Sequence, residues 1–392
     1  KMILTKNILF KNFSSRKNSK HIKKKLDVII KNKHGNDIIK SLCPDYRYNY
    51  SNKLINKFKK VTYPIRLIGM GGSILGSKAI YKFLKTKIKK KISFIDNLTA
   101  AVDIKSVNKK SLNIIISKSG NTLETIINTN TFVKNNKHNI FITQNENNFL
   151  RKLAYKMKSE IIDHNNFIGG RYSVLSEVGM LPASLMGLNE KKFKQFNNLI
   201  KNRNYLNNLI LNTSNIIFFL KNKKFNSVII NYDKSSQDLF MWYQQLVAES
   251  LGKKNKGIMP IISTMPKDNH SLLQLYLDGP KNNFFTFFSV DEKKSAKIKN
   301  NSDFNFNNFL KNKKISKILN AQKQGSENIF LKKKIPYRSF TIRNRSEEAL
   351  GELFTFFILE TILLGSLMKI NPFNQPAVEL IKKETKKILV NS

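Results

Sequence analysis

One cysteine, one tryptophan, nine prolines and five histidines are scattered through 392 residues, and each scarcity excludes something. A lone Cys43 rules out an intramolecular disulfide and any cysteine-based metal cluster. The histidines, at 21, 34, 138, 164 and 270, show no ligand spacing such as HxxxH, so no metal and no cofactor are expected. Acid is also short: 26 Asp and Glu face 70 Lys and Arg, a formal net charge of +44. That surplus invites a nucleic-acid reading, but the lysines spread evenly along the chain and make a solvated surface rather than a groove. No specific nucleic-acid partner is expected, and the charge serves instead to attract anions. Long apolar runs free of charge are absent too. The most apolar segment, Ala349 to Met368, is interrupted by Glu352 and Glu360, each costly in a bilayer. It reads as a buried core helix, and no membrane association is expected. Residues 1–26 contain no acid, eight Lys and Arg16, which faintly resembles a transit peptide. Lys outweighs Arg there as it does everywhere, so the segment reads as the basic arm of a cytoplasmic protein.

What is present is more specific. Hydrophobic residues make up 41% of the chain, enough for two globular domains of ordinary size. The stretch Leu112–Thr125 (LNIIISKSGNTLET) changes character halfway. Its first half is a β-branched run suited to a strand buried on both faces of a parallel sheet. Its second half turns to hydroxyls, an amide and Gly120, followed by a helical pattern. Strand, polar turn and helix N-terminus aim unpaired N–H groups at one point, with Ser117, Ser119, Thr122 and Thr125 around it. A phosphate suits such a place; an ordinary strand-to-helix turn with a Ser/Thr cap is the alternative.

Strand and helix alternate along most of the chain. Residues 65–69, 91–96, 112–117, 139–143 and 160–163 are strand candidates, with helical patterns over 122–135 and 147–157. A second unit begins near residue 201, with strands at 227–231, 284–290 and 339–342 and helices at 235–251, 347–368 and 377–389. This alternation predicts an α/β protein of two doubly wound parallel-sheet domains, with ligands beyond the carboxyl ends of the strands. The expected division is an N-terminal arm over 1–58, polar and helical in parts, a first domain over 59–200 and a second over 201–392.

Four further segments carry candidate chemistry. The glycine loop Gly69–Gly76 (GMGGSILG) follows a strand but fits a dinucleotide fingerprint only loosely, because Ser73 stands where open backbone is needed. Paired with the Ser117–Thr125 loop, it suits a small sugar phosphate better. Phe167–Ser176 (FIGGRYSVLS) brings Arg171 to a strand end, either to pair with a carboxylate or to stabilise a developing oxyanion. Gln245 and Glu249 share a helix face at i and i+4. A helical Glu is usually solvated, but Gly252 ends this helix near a loop. His270 sits at a helix start, suited to proton transfer or simply to the surface.

These segments, with Asn371–Lys382 (NPFNQPAVELIK), occur in the order seen in glucose-6-phosphate isomerases, and from about residue 60 onward the chain resembles that family. The resemblance implies two sugar isomerase (SIS) domains and reversible aldose–ketose isomerisation of glucose 6-phosphate to fructose 6-phosphate through a cis-enediol, in glycolysis and gluconeogenesis. It implies that Glu249 is the base moving a proton between C2 and C1, and that Arg171 stabilises the enediolate. His270 and Lys382 would assist ring opening, with His270 reaching in from the partner of a homodimer. Gln245 would line the sugar, and Gly72, Ser73, Ser117, Lys118, Ser119, Thr122 and Thr125 would contact substrate and phosphate. Asn121, Ser119, Asn374 and Ile381 depart from the family's usual residues, the last two around Lys382. Rival readings are an isomerase that also takes mannose 6-phosphate, a non-catalytic SIS-type regulator that binds DNA, and charge-driven nucleic-acid binding. The regulator needs a helix-turn-helix module that residues 1–58 do not offer.

Overall fold

The computed structural model describes residues 2–14, 19–100, 110–134, 138–298 and 308–391. Eleven strands among them form two sheets. The first is wholly parallel, in the order β4 (Ile92–Ile95), β3 (Ile65–Gly69), β5 (Leu112–Ile116), β6 (Asn139–Thr143), β7 (Glu160–Asp163). Its three central strands are buried along their full length, as a sheet covered on both faces requires. The register sets Ile68 against Ile115 and Gly69 against Ile116. The loops leaving β3 and β5 therefore emerge side by side, and these are the glycine loop and the Ser/Thr loop.

The second sheet runs β1 (Met2–Ile3), β2 (Ile8–Lys11), β11 (Tyr337–Ile342), β10 (Asn283–Val290), β8 (Asn226–Asn231), β9 (Met259–Thr264). Strands β11, β10, β8 and β9 are parallel, and β2 adds antiparallel to β11. The N-terminal arm thus differs from its reading as a polar, partly helical wrapping. It is helical over Lys20–Lys31, Asp37–Ser41 and Asn52–Lys59, but its first residues are a sheet edge with Leu4, Ile8, Phe10 and Phe13 buried. The helical pattern expected over 122–135 spans Leu123–Phe132, and residue 135 lies outside the described residues.

Between the sheets lies the helix Gln237–Leu251. Trp242, fully buried on it, meets Phe354 edge-on at 4.7 Å between ring centroids, and Phe240 meets Phe288 at 4.9 Å. Burying a side chain of this kind contributes about 1.5–3 kcal/mol. Phe354 belongs to the helix Glu347–Met368, opened by Ser346, whose hydroxyl caps the Ala349 N–H, and closed by Lys369 in the left-handed region. Among the described residues this is the one helix long and apolar enough to cross a membrane, yet nearly all of it is buried inside the protein. Its acids have polar partners. Glu352 accepts from Thr5 Oγ1 (2.6 Å) and Asn7 Nδ2 (2.8 Å), and Glu360 pairs with the buried Arg338 and accepts from Asn212. Such carboxylates suit a folded interior in which each is hydrogen-bonded, and Glu360 is also paired with a cation. The last helix, Pro376–Asn391, has no buried residue.

Candidate active site

The site is assembled by close backbone approach. Gly72 sits so tightly on the turn Gly170–Leu175 that a Cβ on it would lie 2.1 Å from Gly170 C and 2.4 Å from Arg171 N. Gly71, at φ +51°, leaves room that Gln245 Nε2 fills. These contacts dock the glycine loop, the Arg171 turn and the helix Gln237–Leu251 on one another. Trp242 Nε1 adds a hydrogen bond to Arg171 O at 3.2 Å.

Arg171 is almost wholly buried, and its guanidinium makes four hydrogen bonds and one ion pair. Nε donates to Ser250 Oγ (2.8 Å), Nη2 to Pro372 O (2.7 Å) and Asn374 O (3.2 Å), and Nη1 to Gln375 Oε1 (2.9 Å). The remaining partner of Nη1 is Glu249 Oε1, an ion pair at 3.1 Å. Glu249 Oε2 accepts from Gln245 Nε2 at 2.9 Å, realising the i, i+4 pair. Tyr172 Oη shares a hydrogen bond with Ser250 Oγ (2.9 Å) and donates to Pro372 O (3.1 Å). Burial pushes its phenol above the ordinary range, so it stays a neutral donor. Glu249, Gly252, Lys253, Asn374 and Gln375 line a cleft of about 940 Å³ into which the Glu249 carboxylate opens.

At the end of β5, Ser117 Oγ and Thr122 Oγ1 lie 2.8 Å apart. Ser119 Oγ accepts from Asn121 N, and Gly120 (φ +64°) packs on Asn148 so closely that no Cβ fits. Lys118 Nζ donates to Asn166 O at 2.7 Å; burial holds its ammonium below the ordinary lysine range. In this region two buried atoms have no partner among the described residues, Thr125 Oγ1 in the first turn of the helix that follows and Gln245 Oε1 beside Glu249. Unpaired polar atoms at such depth are places a ligand can satisfy.

Of the residues singled out in the sequence, Glu249, Arg171 and Gln245 are joined directly, with Gly72 packed against them and Ser73 in the same turn. Ser117, Lys118, Ser119 and Thr122 share the adjoining loop, and Thr125 lies in the first turn of the helix that follows. His270 and Lys382 are not brought in. His270 is exposed on the turn Lys267–His270, which Asp268 orders by accepting from Thr264 N at 2.7 Å. Lys382 is exposed on the last helix and pairs with Glu379 at 2.7 Å. Neither makes a hydrogen bond or ion pair to Arg171, Gln245 or Glu249 among the described residues. Ser250, Tyr172 and Gln375 had not been singled out. Gln375 lies inside the quoted Asn371–Lys382 segment, and Ser250 and Tyr172 adjoin Glu249 and Arg171 in sequence, which was the available signal.

Two parallel-sheet units, with small-residue loops at neighbouring strand ends of the first, define an α/β protein of the doubly wound class. A solved structure of a hypothetical protein from Thermus thermophilus superposes with a TM-score of 0.84 at 21% identity, covering 94% of this chain and 95% of that one. The phosphoglucose isomerase family profile matches residues 6–392, and the chain belongs to that family. The glucose-6-phosphate isomerase of Methanocaldococcus jannaschii is 33% identical over 351 residues, 84% of either chain. That of Mycoplasmopsis pulmonis is 33% identical over 385 residues, 89% of either chain.

Proposed function

We propose that this chain is an isomerase interconverting glucose 6-phosphate and fructose 6-phosphate, with Glu249 as the base, in glycolysis and gluconeogenesis. The observation that carries the reading is the Glu249 carboxylate, held by Gln245 and Arg171 at the mouth of a cleft, beside a Ser/Thr loop and an unpaired buried hydroxyl. The phosphate takes the loop Ser117–Thr125, whose hydroxyls and N–H groups replace water around a charged group. The open-chain sugar extends toward Glu249. Glu249 removes the proton from C2, and the C–H electron pair moves to form the C1–C2 double bond while the carbonyl pair goes to the oxygen on C1. The hydroxyl proton on the C2 oxygen passes to the C1 oxygen, the electron pair left on the C2 oxygen forms the carbonyl at C2, and the double-bond pair takes the proton back from the same carboxylate at C1. A proton next to a carbonyl is weakly acidic, so the step needs a positioned base and a cation at the oxygen.

Four N–H groups of Arg171 are hydrogen-bonded and Nη1 also faces Glu249 as an ion pair, so a substrate oxygen gains its donor at Nη1. Displacing Glu249 or Gln375 from Nη1 hands the guanidinium to the oxygen, and in the first case frees the carboxylate for the carbon. Lys118, Ser73 and Gly72 complete the substrate wall. His270 and Lys382 assist ring opening. The exposed His270, without a partner in its own chain among the described residues, suits an arrangement in which a homodimer supplies it across an interface. The same reading makes the protein cytoplasmic, with an arm over 1–58, a first SIS domain over 59–200 and a second over 201–392. A coupled assay of fructose 6-phosphate conversion to glucose 6-phosphate tests it. Turnover that Glu249→Gln abolishes is expected; a wild-type protein that binds fructose 6-phosphate without converting it contradicts the reading.

A further inference from the structure

Lys253 follows Glu249 by one helical turn and lines the same cleft. Its Nζ donates to Ser250 O at 2.9 Å, in the last turn of the helix just before it, and to Asn371 O at 2.7 Å, across the cleft. Arg171 grips the same two segments, through Ser250 Oγ on one side and Pro372 O, Asn374 O and Gln375 Oε1 on the other. Two cations therefore clasp one loop to one helix end, with Glu249 beside them. The turn that presents Lys253 is itself fixed. Lys254 and Asn255 both adopt positive φ, Lys253 and Lys256 bridge antiparallel, and Lys256 Nζ donates to Met368 O at 3.0 Å. The proton transfer derived above uses Arg171 and leaves Lys253 without a part.

We propose that Lys253 is a positioning residue for the isomerisation: its ammonium pins the loop Asn371–Gln375 to the end of the Glu249 helix, so that Arg171 and Glu249 keep their productive geometry. This rests on the isomerase reading of the site. The plainer role for a lysine here is to cap a helix C-terminus, which serves stability alone. The two roles differ in pH dependence. Burial, with Arg171 adding to it and Glu249 opposing, pushes the Lys253 ammonium down to about 8. Arg171 faces it from its turn and Glu249 from its own helix. Lys254 and Lys256 follow in the same turn, and residues 371–378 contribute no titratable side chain. The cation is therefore lost just above neutrality, and the clasp weakens as pH rises through about 8.

The test compares wild type, Lys253→Arg and Lys253→Met with fructose 6-phosphate, recording kcat, KM and melting temperature from about pH 6 to about pH 10. Wild-type kcat should decline above about pH 8. Lys253→Arg, which stays charged, should keep most of the turnover and move the decline upward by about one pH unit or more. Lys253→Met should lose about tenfold or more in kcat at neutral pH, with KM changed by less than about threefold, and should lose the alkaline decline. Wild-type kcat in Lys253→Met, or an unmoved alkaline decline in Lys253→Arg, overturns the proposal. Should Lys253→Met fail to fold, the Lys253→Arg profile decides alone. A wild-type protein inactive at every pH is a separate result: it overturns the isomerase reading and the role assigned to Lys253 with it.

Discussion

Arg171 shows how much of a site can hang on one side chain. Its guanidinium organises a hydroxyl, two carbonyls, an amide and a carboxylate from two other segments of the chain. Lysine keeps the charge but offers a point donor in place of the planar fork, so several acceptors lose their partners. Arg171→Lys should therefore lower kcat for fructose 6-phosphate by about 10²-fold, with a smaller change in KM, as for one missing preorganised donor. Steady-state kinetics beside a thermal melt checks this. A lowered melting temperature with unchanged kcat would make Arg171 a structural tie only. At this scale the sequence announced Glu249, Gln245 and Arg171, because each sits beside a glycine or at helical spacing from its partner. Ser250 and Gln375 went unnoticed because a hydroxyl and an amide carry no signal until a guanidinium is seen to bind them. His270 lies exposed on its turn, and Lys382 stands apart because only the start of its helix, Pro376–Val378, lines the cleft while the helix buries none of its residues.

Secondary-structure elements were legible wherever burial was continuous. β5 and β6 are buried from end to end and rich in isoleucine, and were readable directly. β9 was missed. Its Pro260 argues against a strand, yet β9 is a sheet edge, where one side of the strand needs no N–H donor. β2 was missed because four residues in a lysine-rich arm give too short a pattern, and its place beside β11 depends on pairing across more than three hundred residues. The glycine loop gives a prediction at this scale. A Cβ at Gly72 meets backbone atoms of Gly170 and Arg171 at 2.1–2.4 Å, and backbone cannot swing aside as a side chain can. Gly72→Ala should separate the glycine loop from the Arg171 turn, lowering the melting temperature and costing about tenfold or more in kcat. Gly325→Ala is its counterpart. That glycine lies exposed in the helix Ile315–Lys332 with open space around it, so alanine should stabilise the protein by about 0.5–1 kcal/mol, read from chemical denaturation.

For the molecule as a whole, the doubly wound class followed from alternation alone, whereas the joining of the two halves did not. That joining rests on the helix Gln237–Leu251, whose Trp242 Nε1 donates to Arg171 O and whose Gln245 packs against Gly71, partners distant in sequence. The net charge of +44 favours encounter with anionic substrates, and this contribution should fade with added salt. A shared site across a homodimer makes a sharper prediction. His270→Ala and Glu249→Gln proteins, each inactive, lack different halves of one site. Mixed and allowed to exchange subunits, they should recover about a quarter of wild-type activity, since half the dimers are mixed and each has one intact site of two. No recovery despite subunit exchange, proven by differential mass labelling, would mean that His270 acts within its own chain or not at all.

The account stands on Glu249 as the base, and hydrogen exchange at C2 reads that role directly. Glucose 6-phosphate deuterated at C2 is incubated with wild type, Glu249→Asp and Glu249→Gln, and label is followed at C1, at C2 and in solvent. Inhibitor binding is measured in parallel to show that each site is intact. Wild type should carry part of the label from C2 to C1 and lose the rest to water, as one carboxylate serving both carbons requires. Glu249→Asp, its carboxylate about one methylene short, should retain a small fraction of that exchange. Glu249→Gln should bind the inhibitor and leave C2 untouched. Exchange at C2 in Glu249→Gln at close to the wild-type rate would show that another group takes the proton, and would contradict the mechanism.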